Sequence, residues 1–189
     1  AIESGRFTFS PIAMNVVEVV NDVVEGYYLR AKDKEISLHF NHDSDEIMTM
    51  CDRNALMQVL ENLISNAIKY SPLGKNVYVN VISSHSDQGS ELFRRERDAL
   101  VRLPMAEKHV RIEFQDEGPG LSAEDKAQLF QKFAKLSAKP TGGEHSTGLG
   151  LSIVKKIIEA MHGQVWCESE LEHGATFIVE LPINEVPEE

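Results

Sequence analysis

Cysteine is scarce. Cys51 and Cys167 are the two in 189 residues and they form no CxxC pair, which excludes a disulfide-framed secreted domain and suits a reducing compartment. Positive charge is also in short supply: 19 Lys and Arg stand against 30 Asp and Glu, a net charge of −11. Such a surface repels phosphate backbones, and no local basic patch offsets it, so nucleic acid is not an expected partner. No apolar run approaches the roughly 18–20 residues of a membrane span, and the amino end Ala1-Ile2-Glu3-Ser4-Gly5-Arg6 lacks a signal-peptide pattern. A cytoplasmic setting is therefore expected for this stretch of chain. What is present is ordinary for a globular domain: 42% hydrophobic and 26% charged residues, with 12 Gly and 7 Pro. At this length folding hides roughly 70% of the unfolded surface, so a core needs no metal or disulfide staple.

Periodicity divides the chain. Phe7-Thr8-Phe9 alternates like a strand, and Ser10-Pro11 reads as a helix start, with apolar residues from Ile12 to about Lys32 at helical spacing. Ile36 to Phe40 alternates, and Ile47 to Cys51 reads as its hairpin partner across a polar turn. Arg53 to Tyr70 is a second helix, stopped by Ser71-Pro72-Leu73-Gly74. Val77, Val79 and Val81 alternate, as do Val110, Ile112 and Phe114, which predicts adjacent strands. The stretch 83–108 between them is far longer than a hairpin needs; within it Glu91 to Leu100 has helical propensity and dense mixed charge. Ser122 to about Phe133 reads as helix, then Ala134 to Thr147 is polar and rich in Gly, Lys and Ser. Gly148 to Met161 is the last long helix, ended by His162-Gly163. Val165 to Ser169 and Ala175 to Leu181 form a closing hairpin, and the acidic tail after Pro182 is expected to be disordered. Alternating helices and strands with several hairpins predict a mixed sheet with helices on one face.

Five places carry chemistry. On the second helix Asn62, Asn66 and Lys69 fall within roughly 60° of arc at the edge of the apolar face. Two carboxamide oxygens and an ammonium there can hold a hydrated Mg²⁺ and its phosphates, although a plain wet edge of an amphipathic helix would look the same. Asp116-Glu117-Gly118-Pro119-Gly120 follows a strand; an acid there can accept the amino proton of adenine, and Gly118 and Gly120 let backbone approach a flat base. A tight turn would explain it equally. Ser146-Thr147-Gly148-Leu149-Gly150-Leu151 opens a helix, and free N–H groups at such an end bind anions. It is no P-loop, because no Gly-Lys-Ser/Thr follows, and no dinucleotide fingerprint, because Ile153 stands where a third glycine would fall. Phe130-Gln131-Lys132-Phe133 anchors the polar stretch and leaves Lys132 and Lys135 to face a substrate. Gly174-Ala175-Thr176-Phe177 starts a strand, with the Thr176 hydroxyl available to support an adenine contact.

In order and spacing, these five segments resemble the N, G1, F, G2 and G3 boxes of sensor histidine kinases. The resemblance covers nearly the whole chain apart from the insertion and tail. It implies an α/β two-layer sandwich of the Bergerat type: a mixed, mostly antiparallel sheet with three main helices on one face and a mobile ATP lid. The implied cofactors are ATP and Mg²⁺. Asn66, helped by Asn62, would hold the metal; Lys69 and Tyr70 would reach phosphate or ribose. Asp116 would read adenine beside Gly118 and Gly120. The lid would run from Gln131 to Thr147, and backbone from Gly148 to Leu151 would hold phosphates. Glu117 departs from the family's usual Asn, and Lys132 takes the place of a frequent Arg without its bidentate fork.

The resemblance further implies that residues 1–10 are the end of a linker from a dimerisation and phosphoacceptor domain missing from this chain. Residues 11–182 would be the ATP-binding domain with insertion 83–108, and 183–189 an acidic tail. The expected activity is that of a protein histidine kinase, of which this part alone would not autophosphorylate. Expected partners are the phosphoacceptor domain and a response regulator, with the chain monomeric and its parent a homodimer, cytoplasmic or tethered to a membrane by other segments. Two alternatives stay open: an ATP hydrolase of the gyrase, Hsp90 or MutL type, and a degenerate docking module that has lost nucleotide. The hydrolase needs a base where Asn62 stands, and Glu61 points about 100° away around the helix.

Overall fold

The computed structural model describes residues 9–84, 108–134, 136, 137, 139–141 and 148–183. In chain order the elements are β1 (Ile12–Asn15), α1 (Val16–Asp33), β2 (Ser37–His42), β3 (Met48–Cys51), α2 (Arg53–Tyr70) and β4 (Asn76–Ser84). After the insertion come β5 (His109–Asp116), α3 (Ala123–Gln128), α4 (Gly150–Ala160), β6 (Gln164–Ser169) and β7 (Ala175–Pro182). Five strands form one sheet in the order β2-β4-β5-β7-β6, parallel between β2 and β4 and antiparallel elsewhere. Helices α1, α2 and α4 cover one face of it. The predicted mixed two-layer sandwich is the observed architecture.

The core follows from the two periods. Along β5, Val110, Ile112 and Phe114 are buried, and along β4 so are Val77, Val79 and Val81; Val79 faces Phe114 and Val81 faces Ile112 across the ladder. Onto them α2 lays Leu56, Val59, Leu60, Leu63, Ile64, Ala67 and Ile68, none more than 1% exposed. Burial of one such side chain contributes roughly 1.5–3 kcal/mol, so α2 is the element around which the layers pack. Its start is held by Asp52, whose Oδ1 accepts the Ala55 N–H at 2.9 Å. Its end is held by Lys34, whose Nζ donates to the Ile68 and Lys69 carbonyl oxygens, both at 2.8 Å.

Three expectations are corrected. Ile12 to Asn15 is a strand, not the first turn of α1, and it pairs with β3 in a separate two-stranded sheet. The helix waits for Asn15, whose Oδ1 accepts both the Val17 N–H at 3.2 Å and the Ile47 N–H at 3.0 Å; Ser10 instead donates its N–H to Asp52 Oδ2. Consequently β3 is not the hairpin partner of β2. The polar turn between them sends Asp43 to β4, where its carboxylate accepts the Ser83 N–H, and β2 takes its place parallel to β4. Third, α3 is shorter than predicted: after Gln128 the chain turns, Phe133 takes a left-handed conformation (φ 60°), and its N–H bonds Gly148 O at 2.9 Å. At the end of α4 the left-handed residue is His162 (φ 60°), and the Gly163 N–H closes back on Ile158 O. No helix among the described residues is long and apolar enough to cross a membrane. The charged segment 91–100 and the tail after Ile183 lie outside the described residues.

Candidate functional site

Asp116 ends β5 at the centre of the sheet, opposite Val77 on one side and Ala175 on the other. It is 5% exposed. Its Oδ1 accepts the Gly118 N–H at 2.8 Å and the Ala175 N–H at 3.2 Å; Oδ2 has no hydrogen-bond partner among the described residues. Burial pushes the carboxyl up to about pKa 6, against the pull of those two N–H donors. The side chain lines a cleft of about 390 Å³.

The cleft brings together residues from most of the expected segments. Asn66 and Tyr70 enter from α2, one turn apart, and Leu121, Leu129, Ala175 and Phe177 give it apolar walls. Gly148, Gly150 and Leu151 reach it from the start of α4, and Leu136, Lys139 and Pro140 from the polar stretch. The start of α4 is chemically distinct. Asn15, Asp52 and Ser122 cap α1, α2 and α3 with side-chain oxygens, whereas no side chain caps α4 and its first turn holds no acid. An uncapped helix start facing a cavity suits an anion. A second hollow, about 260 Å³, lies between α1 and β2, but Glu18, Asp22 and Asp45 line it and would repel phosphate.

Other candidate residues sit elsewhere. Asn62 does not line the cleft; it abuts it, for a Cβ on Gly150 would stand 2.5 Å from Asn62 Oδ1. Its Nδ2 donates to the Gln58 carbonyl oxygen. Lys69 is buried, with Nζ 5.8 Å from the centre of the Tyr70 ring, and is not in the cleft wall. Lys132 is exposed and outside the wall, and Leu149, half-buried in the turn before α4, is also outside it. Thr176 lies between Ala175 and Phe177 on β7, so strand alternation turns it to the opposite face of the sheet. Lys135 and Thr147 lie outside the described residues.

The glycines of the Asp116 loop answer to the protein itself. A Cβ on Gly118 would stand 2.8 Å from both Asp116 Oδ1 and the Tyr70 carbonyl oxygen, and Gly118 is not in the wall. Gly120 lines the cleft at φ 70°, where a Cβ would run into the Glu170 carbonyl. Glu117 turns away: its Oε2 accepts from the Asn76 N–H at 2.8 Å and from Asn76 Nδ2 at 3.2 Å, which holds its carboxyl below the usual range. Lys139, Leu136 and Pro140 were not singled out by the sequence, where nothing distinguishes them from their neighbours in the polar stretch.

The arrangement combines an acceptor in an apolar recess, a carboxamide on a helix edge and an open helix start. A family model described as histidine kinase-, DNA gyrase B- and HSP90-like ATPase matches residues 51–185. The chain belongs to that family. Among the proteins it resembles is a sensor-like histidine kinase of Pyropia yezoensis, 32% identical over 176 residues, an alignment covering 90% of this chain and 25% of that protein. Drug sensory protein A of Synechocystis sp. is 32% identical over 171 residues, an alignment covering 90% of this chain and 24% of that protein. The chain thus spans about a quarter of the length of that curated relative. The nucleotide-free catalytic domain of histidine kinase ThkA superposes with a TM-score of 0.72 at 24% identity, covering 93% of this chain and 97% of that one, a likeness of fold. Full-length ShkA in complex with AMPPNP superposes with a TM-score of 0.71 at 27% identity, covering 95% of this chain and 32% of that one.

Proposed function

We propose that this domain holds Mg·ATP for transfer of its γ-phosphate to a histidine on a separate dimerisation domain, as the catalytic part of a two-component sensor kinase. The observation that carries the reading is the single cleft shared by Asp116, Asn66 and the open start of α4. The residues suit the nucleotide. An ionised carboxylate is an acceptor only, so the open Asp116 Oδ2 matches an exocyclic amino group, while Leu121, Leu129 and Phe177 suit a flat apolar ring. Asn66 offers a hard carboxamide oxygen to Mg²⁺, which commonly takes one or two protein ligands and completes its shell with water and phosphate. The first N–H groups of α4 and the Lys139 ammonium oppose the phosphate charge in a protein of net charge −11.

When bound, ATP would supply the phosphoryl group and Mg²⁺ would offset the negative charge on it. The domain orients that group and excludes water around it, work that does not require the nucleophile on the same chain. Hydrolysis has less support. Asn62 at the turn before Asn66 cannot act as a base near neutrality. Glu61 is exposed on the α1 side of the helix, where its charge helps burial raise the Tyr27 pKa. In titration calorimetry the chain is expected to bind the non-hydrolysable analogue AMPPNP, more tightly with Mg²⁺, and Asn66→Ala should remove the Mg²⁺ increment. Steady phosphate release from ATP by the chain alone is expected to be negligible; brisk turnover would favour the hydrolase. Absence of any nucleotide binding would leave the docking module. Mixing with a phosphoacceptor domain and radiolabelled ATP tests the transfer itself, and the response regulator is the proposed next acceptor.

A further inference from the structure

Two residues outside the cleft hold one of its walls. Asp125, on α3, is 3% exposed although α3 is only six residues long. Its Oδ1 accepts the Ser137 N–H at 2.9 Å, and its Oδ2 accepts the Ser137 hydroxyl. A buried carboxylate is costly unless its oxygens are satisfied, and here both oxygens go to one serine of an otherwise irregular stretch. That serine in turn holds the carboxyl below its usual pKa. Four positions on, the Thr141 N–H donates to the Lys69 carbonyl oxygen at 3.1 Å. The Thr141 hydroxyl lies 2.7 Å from Ser71 O and 3.1 Å from Lys69 O. These carbonyls flank Tyr70 at the end of α2, an end that Lys34 also grips. Leu136, Lys139 and Pro140, which stand beside or between the two pinned residues, all line the cleft.

Resting on the nucleotide reading above, we propose that Asp125 and Thr141 are positioning residues: they pin the segment carrying Leu136, Lys139 and Pro140 so that it stands as a cleft wall before nucleotide arrives. Neither touches the cleft, so each acts through the segment it holds. Releasing a pin lets the wall sample other arrangements, and apparent affinity falls with the competent fraction.

The test measures AMPPNP affinity by calorimetry with Mg²⁺ for the whole chain and for Asp125→Asn, Ser137→Ala, Thr141→Val and Thr141→Ser. Affinity is expected to fall about fivefold to tenfold in the first three, the size of one or two lost hydrogen bonds. Thr141→Ser, which keeps the hydroxyl, should bind as the unmodified chain does. Asp125→Asn with Ser137→Ala should lose no more than either alone, while Thr141→Val should add to them. Melting temperatures without nucleotide separate positioning from mere support. A purely structural role would lower them and leave affinity unchanged, and that outcome overturns the proposal. Should Asp125→Asn fail to fold, the exposed Ser137 and Thr141 still decide it. Equal affinity in every variant sinks the pins and leaves the nucleotide reading standing; no binding by the unmodified chain sinks that reading first.

Discussion

Asp116 combines a cost to the fold with a proposed service to the ligand. Its carboxyl titrates near 3.8 when unperturbed and near 6 in the folded protein. A raised folded pKa means the folded state binds the proton more tightly. The group therefore favours folding as pH falls from 6 towards 4 and penalises it above 6, by about 3 kcal/mol at full ionisation. Asp116→Asn keeps an oxygen for the Gly118 and Ala175 N–H groups but turns the open acceptor into a donor. The empty variant should melt higher than the unmodified chain at pH 8, show no such gain near pH 4, and bind AMPPNP at least about tenfold more weakly. Thermal melts at both pH values with and without nucleotide check this, and unchanged affinity would remove Asp116 from base recognition. Asn66 and Asp116 were readable as a pair because a helix edge and a strand end each show in local sequence. Lys69 and Lys132 were readable only as lysines near the right place, since which way a flexible ammonium turns depends on neighbours from other elements.

Helix ends show how local signals compete with pairing. In the structure Asp52 caps α2, which runs over the predicted Arg53 to Tyr70. Ser10-Pro11 reads as a helix start in the sequence, yet Ile12 to Asn15 are recruited as a strand by β3 and the helix begins behind Asn15. Because Asn15 Oδ1 serves both Val17 and Ile47, Asn15→Ala should cost about 1–2 kcal/mol. Urea unfolding measures it, and nucleotide affinity at low urea should not change. A loss below a few tenths of a kcal/mol would mean that strand pairing alone sets the start of α1. Leu63→Ala, in the fully buried face of α2, should cost about 2–5 kcal/mol by the same measurement.

The ladder between β4 and β5 also separates the cleft from the strand ends that flank the insertion. Asp116 pairs with Val77 at one end, and His109 pairs with Ser84 at the other. Seven steps of about 3.4 Å put roughly 24 Å between them. Replacing residues 86–107 by a short glycine-containing turn should therefore leave AMPPNP affinity within about twofold of the unmodified value, since sites without shared partners act independently. A loss of binding would mean that the insertion reaches the cleft from the far end of the sheet.

Alternation in β4, β5 and β7, the apolar face of α2 and the turn signals around it lie within a few residues of one another, so the chain's own order was enough to place them and to indicate a sheet covered by helices. Which strand β2 lies beside, where α1 begins and which side chains meet at Asp116 depend on segments tens of residues apart. Closing those loops makes tertiary contacts compete, and Asp43 on Ser83, Asn15 on Ile47 and Thr141 on the end of α2 are where that competition was decided.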